Sequence, residues 1–398
     1  MNKVEVKKGV YWVGAVDWDI RNFHGHTYET RRGTTYNSYL IVDEKVALVD
    51  GVYGPFYAEW LERIKEIIDP KKIDYMVVNH IEPDHLGSVP IMMELNPQAK
   101  VICSVKAKEG IHKHFYPDWE PQAVKTNDTI NLGKKTLRFI EAAMIHWPDS
   151  MFTYIPELSL LLPNDAFGQH LATGERFDDE VENYVIMDEA ARYYANILWP
   201  LGPIILRKIE EIAAFKIKID TIAPSHGIIW RKNPAQIIEA YVKWAKNTTT
   251  DKVVIAFETM WGATERMARV IAEKVMEAGL KVEVFNIPLT DRSDIMTAML
   301  DAKAILVGSS THDNGMLPST AGFLDFLKGL KPKGRLAAAF GSYGWGRGAV
   351  AGITAMLKEA GCEVLEPGLE VKYVPSPDDI RSCEEFTEGI ANRIRKGV

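Results

Sequence analysis

Beyond about residue 250 the chain alternates between short apolar runs and amphipathic stretches. The runs are VVIAF (253–257), VEVFNI (282–287), AILVGS (304–309) and RLAAAFGS (335–342), with a less regular one at VKYVP (371–375). Short apolar runs bounded by turn residues read as strands buried on both faces, and the longer stretches between them as helices. In TERMARVIAEKVMEAG, Met267, Val270, Ile271 and Val275 form one apolar stripe, and Gly279 supplies the left-handed residue that ends it. Strands alternating with helices force parallel pairing through right-handed crossovers. The prediction is an α/β three-layer domain with a five-stranded parallel sheet, whose ligand site lies at the carboxyl ends of its strands.

The first part of the chain is patterned differently. Strand-like runs VYWVGAV, NSYLIVD and KVALVDGV precede the first long helix, AEWLERIKEII, and a further strand, DYMVVNH (74–80), follows it. More strands are expected at KVICS, TLRFIEAA and LSLLLPND, and helices around MDEAARYYANIL and ILRKIEEIAA. Mixed strands with scattered helices fit an αββα sandwich, although periodicity does not separate it from other α+β arrangements. The polar stretch Asn247-Thr248-Thr249-Thr250-Asp251-Lys252 sits between a helical pattern and a strand and reads as a linker. Domains are therefore expected at 1–250 and 251–398.

Composition removes several function classes. With 54 acidic against 47 basic residues the formal charge is -7, and no basic stripe of a nucleic-acid binder is visible. No run approaches the ~20 apolar residues of a membrane span. The three cysteines, Cys103, Cys362 and Cys383, are far apart, which excludes a disulfide framework, a zinc ribbon or a cysteine-ligated iron centre within these residues. A cytoplasmic, reducing location is expected, with neither nucleic acid nor membrane as partner.

Residues 80–85 read His80-Ile81-Glu82-Pro83-Asp84-His85, directly after the apolar YMVVN. In extended geometry residues two apart share a face, so His80, Glu82 and Asp84 are expected to converge. Three other segments have the same strand-then-polar-turn form: IHWPDS with His146, LLPNDAFG with Asp165, and IAPSHG with His226. One histidine in such a turn commonly makes only hydrogen bonds. A dense set of ionisable groups is different, because burying it without a cation is costly. Four histidines and three carboxylates suffice for two metals sharing one carboxylate. His24, His26, and Tyr193 or Tyr194 are candidates for the surroundings, with His170 a weaker one.

A second constellation follows VVIAF, as Glu258-Thr259-Met260-Trp261-Gly262-Ala263-Thr264 leads into a helix. Hydroxyls and backbone N–H groups at a helix N-terminus form an anion cradle. Two more loops end strands of the same domain: Ser309-Ser310-Thr311-His312-Asp313-Asn314-Gly315 and Gly341-Ser342-Tyr343-Gly344-Trp345-Gly346. Both offer backbone donors and aromatics to a flat ring. The G-x-G-x-x-G of a dinucleotide site is absent after the first strand.

T-x-x-G-x-T at 259–264 resembles the phosphate loop of flavodoxins, which would make FMN the ligand. H-x-E-x-D-H, then H-W-P-D, N-D-A-F-G and S-H-G, in this order, resemble the flavodiiron proteins over nearly the whole chain. The resemblance implies a metallo-β-lactamase-like αββα domain followed by a flavodoxin-like one. Hydrolases of that superfamily carry histidine where this chain has Glu82, and an anionic oxygen donor there suits iron that must reach the ferric state. It further implies that His80, Glu82 and His146 hold one iron, Asp84 and His226 the other, with Asp165 bridging and His85 able to ligate or swing away. The implied activity is reduction of dioxygen to water, of nitric oxide to nitrous oxide, or both, with electrons entering through FMN. A head-to-tail homodimer, or a dimer of such dimers, and a separate electron donor, a rubredoxin or reduced deazaflavin, are implied as well. Two other classes stay open on the residues alone: a zinc hydrolase fused to a flavodoxin-like domain, and an electron carrier whose front domain is catalytically silent.

Overall fold

The strand Val46–Val49 shows how the first half is layered in the computed structural model, which describes residues 3–396. All four of its residues are buried, but in alternation: Val46 and Leu48 join one core, Ala47 and Val49 another. Side chains of a strand point alternately to its two faces, so this strand lies between two apolar layers. On one side Leu48, Met76 and Val101 meet helix residues Trp60, Ile64, Met92 and Ile111. On the other, Val49, Val77 and Ile102 meet Phe139, Met151, Ile155 and Leu162, which belong to a second sheet. The first sheet has seven strands and the second five. With Asn183–Tyr193, Gly202–Ala214 and Pro234–Ala245 as further helices, the arrangement is the expected αββα sandwich.

In the second half every strand pairing is parallel. The order across the sheet is Lys281–Asn286, Thr250–Glu258, Ala302–Ser310, Leu336–Tyr343, and then a fifth position occupied in two pieces, Glu363–Val364 and Leu369–Lys372. The strand expected at 371–375 thus lies earlier and is interrupted. Pro367 has no N–H for the ladder, and a Cβ on Gly368 would stand 2.7 Å from the Ala339 carbonyl oxygen, so only glycine lets the chain re-enter there. Gly308 is needed for a similar reason, since the Phe340 ring lies across it and would be 2.3 Å from any Cβ. One face packs Ile255, Leu306 and Phe340 against Met267, Ile271 and Val275 of the helix Ala263–Glu277 and against Ile390 and Ile394 of Pro377–Lys396. Burying each such side chain contributes about 1.5–3 kcal/mol. Strand order reverses beside Thr250–Glu258, so Glu258, Ser310 and Tyr343 end their strands where such sheets bind ligands.

The described residues divide into two compact units, one running to Tyr193 with Leu201–Val242, the other comprising Tyr194–Pro200 and the chain from Lys243. Within the second unit, Trp199 Nε1 donates to Asn247 Oδ1 at 2.9 Å and the Tyr194 and Trp244 rings lie 5.2 Å apart. The polar residues 250–252, expected as linker, begin a strand instead: Thr250 N–H donates to the Asp301 carbonyl at 2.7 Å and Lys252 pairs with Glu283 at 3.0 Å. Among the described residues no helix is long and apolar enough to cross a membrane.

Candidate metal centre and flavin pocket

The strand Tyr75–Val78 delivers the cluster at 80–85, but its geometry is not extended throughout. Glu82 has φ -61 and ψ 143, and Pro83–Leu86 is a short helical turn. Proline at the first helical position is pre-set for that turn. Asp84 therefore leaves the face shared by His80 and Glu82 and joins His85 instead. His146 also departs from expectation: it lies in the loop between Thr136–Glu141 and Met151–Ile155 rather than at a strand end.

The seven side chains nevertheless gather into two adjoining groups, His80, Glu82, His146 and Asp165 in one and Asp84, His85 and His226 in the other. Asp165 spans them. Its Oδ2 lies 3.0 Å from His146 Nε2 and 3.7 Å from His80 Nε2, while Oδ1 lies 3.0 Å from His85 Nε2 and 3.4 Å from His226 Nε2. Asp84 Oδ2 faces His226 Nε2 at 3.1 Å and His85 Nε2 at 3.3 Å. Ser225 donates its hydroxyl to Asp165 Oδ1 at 2.8 Å.

The far nitrogens decide what the near ones can do. His226 Nδ1 lies 2.7 Å from the Thr35 carbonyl, which only accepts, so Nδ1 carries the proton. His80 Nδ1 likewise meets Asp149 Oδ2 at 2.9 Å, a carboxylate that also accepts from the Ile81 N–H. In neutral rings Nε2 is then a bare lone pair aimed at carboxylate oxygens, which is repulsive unless a cation stands between. Without metal, protons must do this. Burial pushes the His146 imidazole down, but Asp165 and Glu82 more than offset it and hold it at about 9. Burial likewise lowers His226, and Asp165 and Asp84 raise it to about 10. Against its own burial, Asp165 is held well below the usual carboxylate range by His85, His146 and His226. Four imidazoles poised to be charged against three carboxylates match the demand of two divalent ions, and the N/O donor set without sulfur suits iron.

In the second unit, Gly262, at φ 85, opens the helix Ala263–Glu277. Thr264 Oγ1 lies buried within 3.1 Å of Ser310 Oγ and 2.9 Å of Ser342 Oγ, one hydroxyl from each of the three expected loops. Beside them opens a cavity of about 470 Å³, bordered by Met260, Trp261, Ala263, Thr311, Asp313 and Asn314 as well as the third loop. Trp261 and Trp345 are 93% and 96% exposed at its mouth. Hydroxyls and a helix N-terminus beside a cavity that aromatics also border fit a phosphate carrying a planar ring. Thr259, Gly262, Thr264, His312 and Gly341 shape these loops without lining the cavity; Thr264 holds the lining hydroxyls of Ser310 and Ser342, and Thr259 Oγ1 accepts from the Gly262 N–H at 3.1 Å.

A family model described as an ODP family beta lactamase matches residues 34–227, and one described as flavodoxin matches 255–386. A nitric oxide reductase of Moorella thermoacetica is 52% identical over 98% of each chain. An anaerobic nitric oxide reductase flavorubredoxin of Vibrio vulnificus is 42% identical, over 98% of this chain and 79% of its own. Among solved structures, the flavodiiron protein from Giardia intestinalis has a TM-score of 0.96 and 34% identity, covering 100% of this chain and 97% of that one. Rubredoxin oxygen:oxidoreductase of Desulfovibrio gigas has a TM-score of 0.97 and 37% identity, covering 99% of each. The chain belongs to the flavodiiron proteins.

In this flavodiiron protein several positioning residues escape sequence reading. Asp50, directly after Val46–Val49, accepts from the Asn79 N–H at 2.7 Å and from Asn164 Nδ2 at 3.1 Å, so one buried carboxylate ties the residue before His80 to the residue before Asp165. The signal was available: an aspartate directly after a wholly buried strand. Asp149 stands in the H-W-P-D segment without being set apart there from its histidine, and Thr35 carries no such signal. Of the surrounding candidates, His24 Nε2 meets Glu82 Oε1 at 2.9 Å, whereas His26 is exposed. The rings of His170 and Tyr193 lie 4.8 and 6.5 Å from that of His226, and Tyr194 turns instead toward Trp244. At the cavity, Gly346 closes the expected third loop, whereas Tyr373 and Val374 were not foreseen.

Proposed function

We propose that this chain reduces nitric oxide, dioxygen or both at a pair of irons, with electrons entering through FMN. The arrangement of Asp165 carries the reading, because a carboxylate whose two oxygens face different imidazole sets is what a bridge between two metals requires. His80, Glu82 and His146 would hold one iron, Asp84, His85 and His226 the other. His85 is counted a ligand because its Nε2 is turned to Asp165 and Asp84. When bound, the irons would supply Lewis acidity and redox change, and the flavin would accept electrons singly or in pairs.

The chain's own residues prepare this chemistry. Asp149 and Thr35 fix the Nδ1 protons, leaving the Nε2 lone pairs free for metal. Glu82 is held anionic against its burial by His146, His24 and His80, which favours the higher oxidation state. Phe23, His170 and Tyr193 form an aromatic wall beside His226.

The family's names favour a rubredoxin as donor, with a reduced deazaflavin as the other candidate; these residues contain no cysteine cluster of their own for a rubredoxin iron. A head-to-tail homodimer, possibly paired again, would bring each flavin to the partner's irons, and the exposed Trp261 and Trp345 suit a face that becomes covered. Three free, buried cysteines suit a cytoplasmic location. The test is anaerobic turnover with reduced rubredoxin, offering each gas separately, with metal and flavin assayed on the same sample. About two irons and one FMN per chain with consumption of either gas is expected. Zinc alone, with neither gas consumed, would refute the reading in favour of the hydrolase.

A further inference from the structure

The interrupted last strand has a consequence for the flavin cavity. Because Leu369–Lys372 pairs with the carboxyl half of Leu336–Tyr343, with Lys372 opposite Tyr343, the chain emerges at the ligand edge of the sheet. An uninterrupted continuation of Glu363–Val364 is not what reaches this edge; the re-entry after Gly368 is. There Tyr373 adopts φ 58, in the left-handed region that bulky side chains avoid. Its N–H donates to the Tyr343 carbonyl at 2.7 Å, which fixes the turn. The ring borders the cavity, and its Cε1 lies 3.4 Å from where a Cβ on Gly344 would be. Lys372 Nζ stands 5.5 Å from the ring centroid. A strained backbone that the surroundings over-determine marks a ligand clamp when the strained side chain faces a cavity.

We propose that Tyr373 forms a fourth wall of the flavin site, contributed by the end of the last strand, and stacks on the isoalloxazine ring. This rests on the reading that FMN fills the cavity. An electron-rich phenol favours the electron-poor oxidised flavin over the reduced one, so the residue would help set the potential as well as affinity.

The test uses full-length protein carrying Tyr373→Gly, Tyr373→Phe or Thr264→Val, with FMN affinity followed by release of flavin fluorescence and the midpoint potential by anaerobic titration. Tyr373→Gly relieves the backbone and removes the ring; it should weaken FMN binding roughly tenfold and raise the potential, while holding or raising the thermal midpoint. Tyr373→Phe keeps the stacking surface and should stay close to the parent in affinity. If Tyr373→Gly matches the parent in affinity and potential while Thr264→Val weakens binding, the fourth wall is refuted and the flavin site stands. If neither substitution alters FMN binding, the cavity is not the flavin site and both fail.

Discussion

Replacing Asp165 by alanine separates the two halves of the proposed chemistry. The carboxylate is 2% exposed and has four imidazole nitrogens at 3.0–3.7 Å, the nearest being those of His146 and His85. A unit charge pair at about 3.3 Å has a Coulomb energy of roughly 5 kcal/mol at an effective dielectric of about 20, so each metal would lose a strong local attraction. Removing one member of a buried charge set costs about 3–5 kcal/mol net. That corresponds to a loss of iron affinity of roughly 10²- to 10⁴-fold. The cavity bordered by Trp261 and Tyr343 lies in the other compact unit, so FMN content should not change. The assay is iron and flavin per chain on one preparation, followed by consumption of nitric oxide and dioxygen with reduced donor. Iron far below two per chain, full FMN and no turnover are expected. Near-complete iron with retained gas reduction would refute the bridging role, since no other carboxylate in the cluster faces all four imidazoles.

Three further outcomes follow from the same geometry. Asp149→Ala removes the group that orients His80 through Nδ1, and should weaken iron binding about 10- to 100-fold without loss of FMN, read by chelator competition. Thr264→Val breaks the buried contacts to Ser310 and Ser342 and should weaken FMN binding roughly 5- to 30-fold while iron per chain stays constant. In iron-free protein, His146 and His226 are held at about 9 and about 10, above the ~6.5 of an unfolded chain, so their protonation stabilises the fold fully below pH ~6.5. That contribution fades as pH rises through 9 to 10, so the thermal midpoint of chelator-treated protein should fall over this range, less so in His226→Gln; an equal fall in both would contradict the assignment. Iron affinity should run the opposite way, tightening with pH as protons cease to compete for Nε2.

What was legible in the sequence divides by the range of the interaction that fixes it. His80 to His85 could be read because the ligands are close in sequence and too polar to be buried in such number without purpose. Their sorting into two groups could not be read from strand geometry. Pro83 starts a helical turn that the two-residue alternation ignores, and this turn carries Asp84 and His85 to the second group. The phosphate loop was legible for a similar local reason, since Thr259, Gly262 and Thr264 mark a helix start by themselves. Tyr373 was not, because its place depends on Gly368 slipping under the Ala339 carbonyl and on a strand register set across the sheet. Asp50 and Asp149 fall between these cases. Each is an ordinary aspartate in sequence and gains its role only when Asn79 and Asn164, or His80 and Ile81, arrive from distant segments. Ligands can thus be found by local chemistry, whereas the residues that aim them are set by tertiary contacts. It follows that substitutions at Asp149 should change metal affinity while leaving the pattern of ligands intact, and that a search for ligand motifs alone would pass over the groups that make those ligands competent.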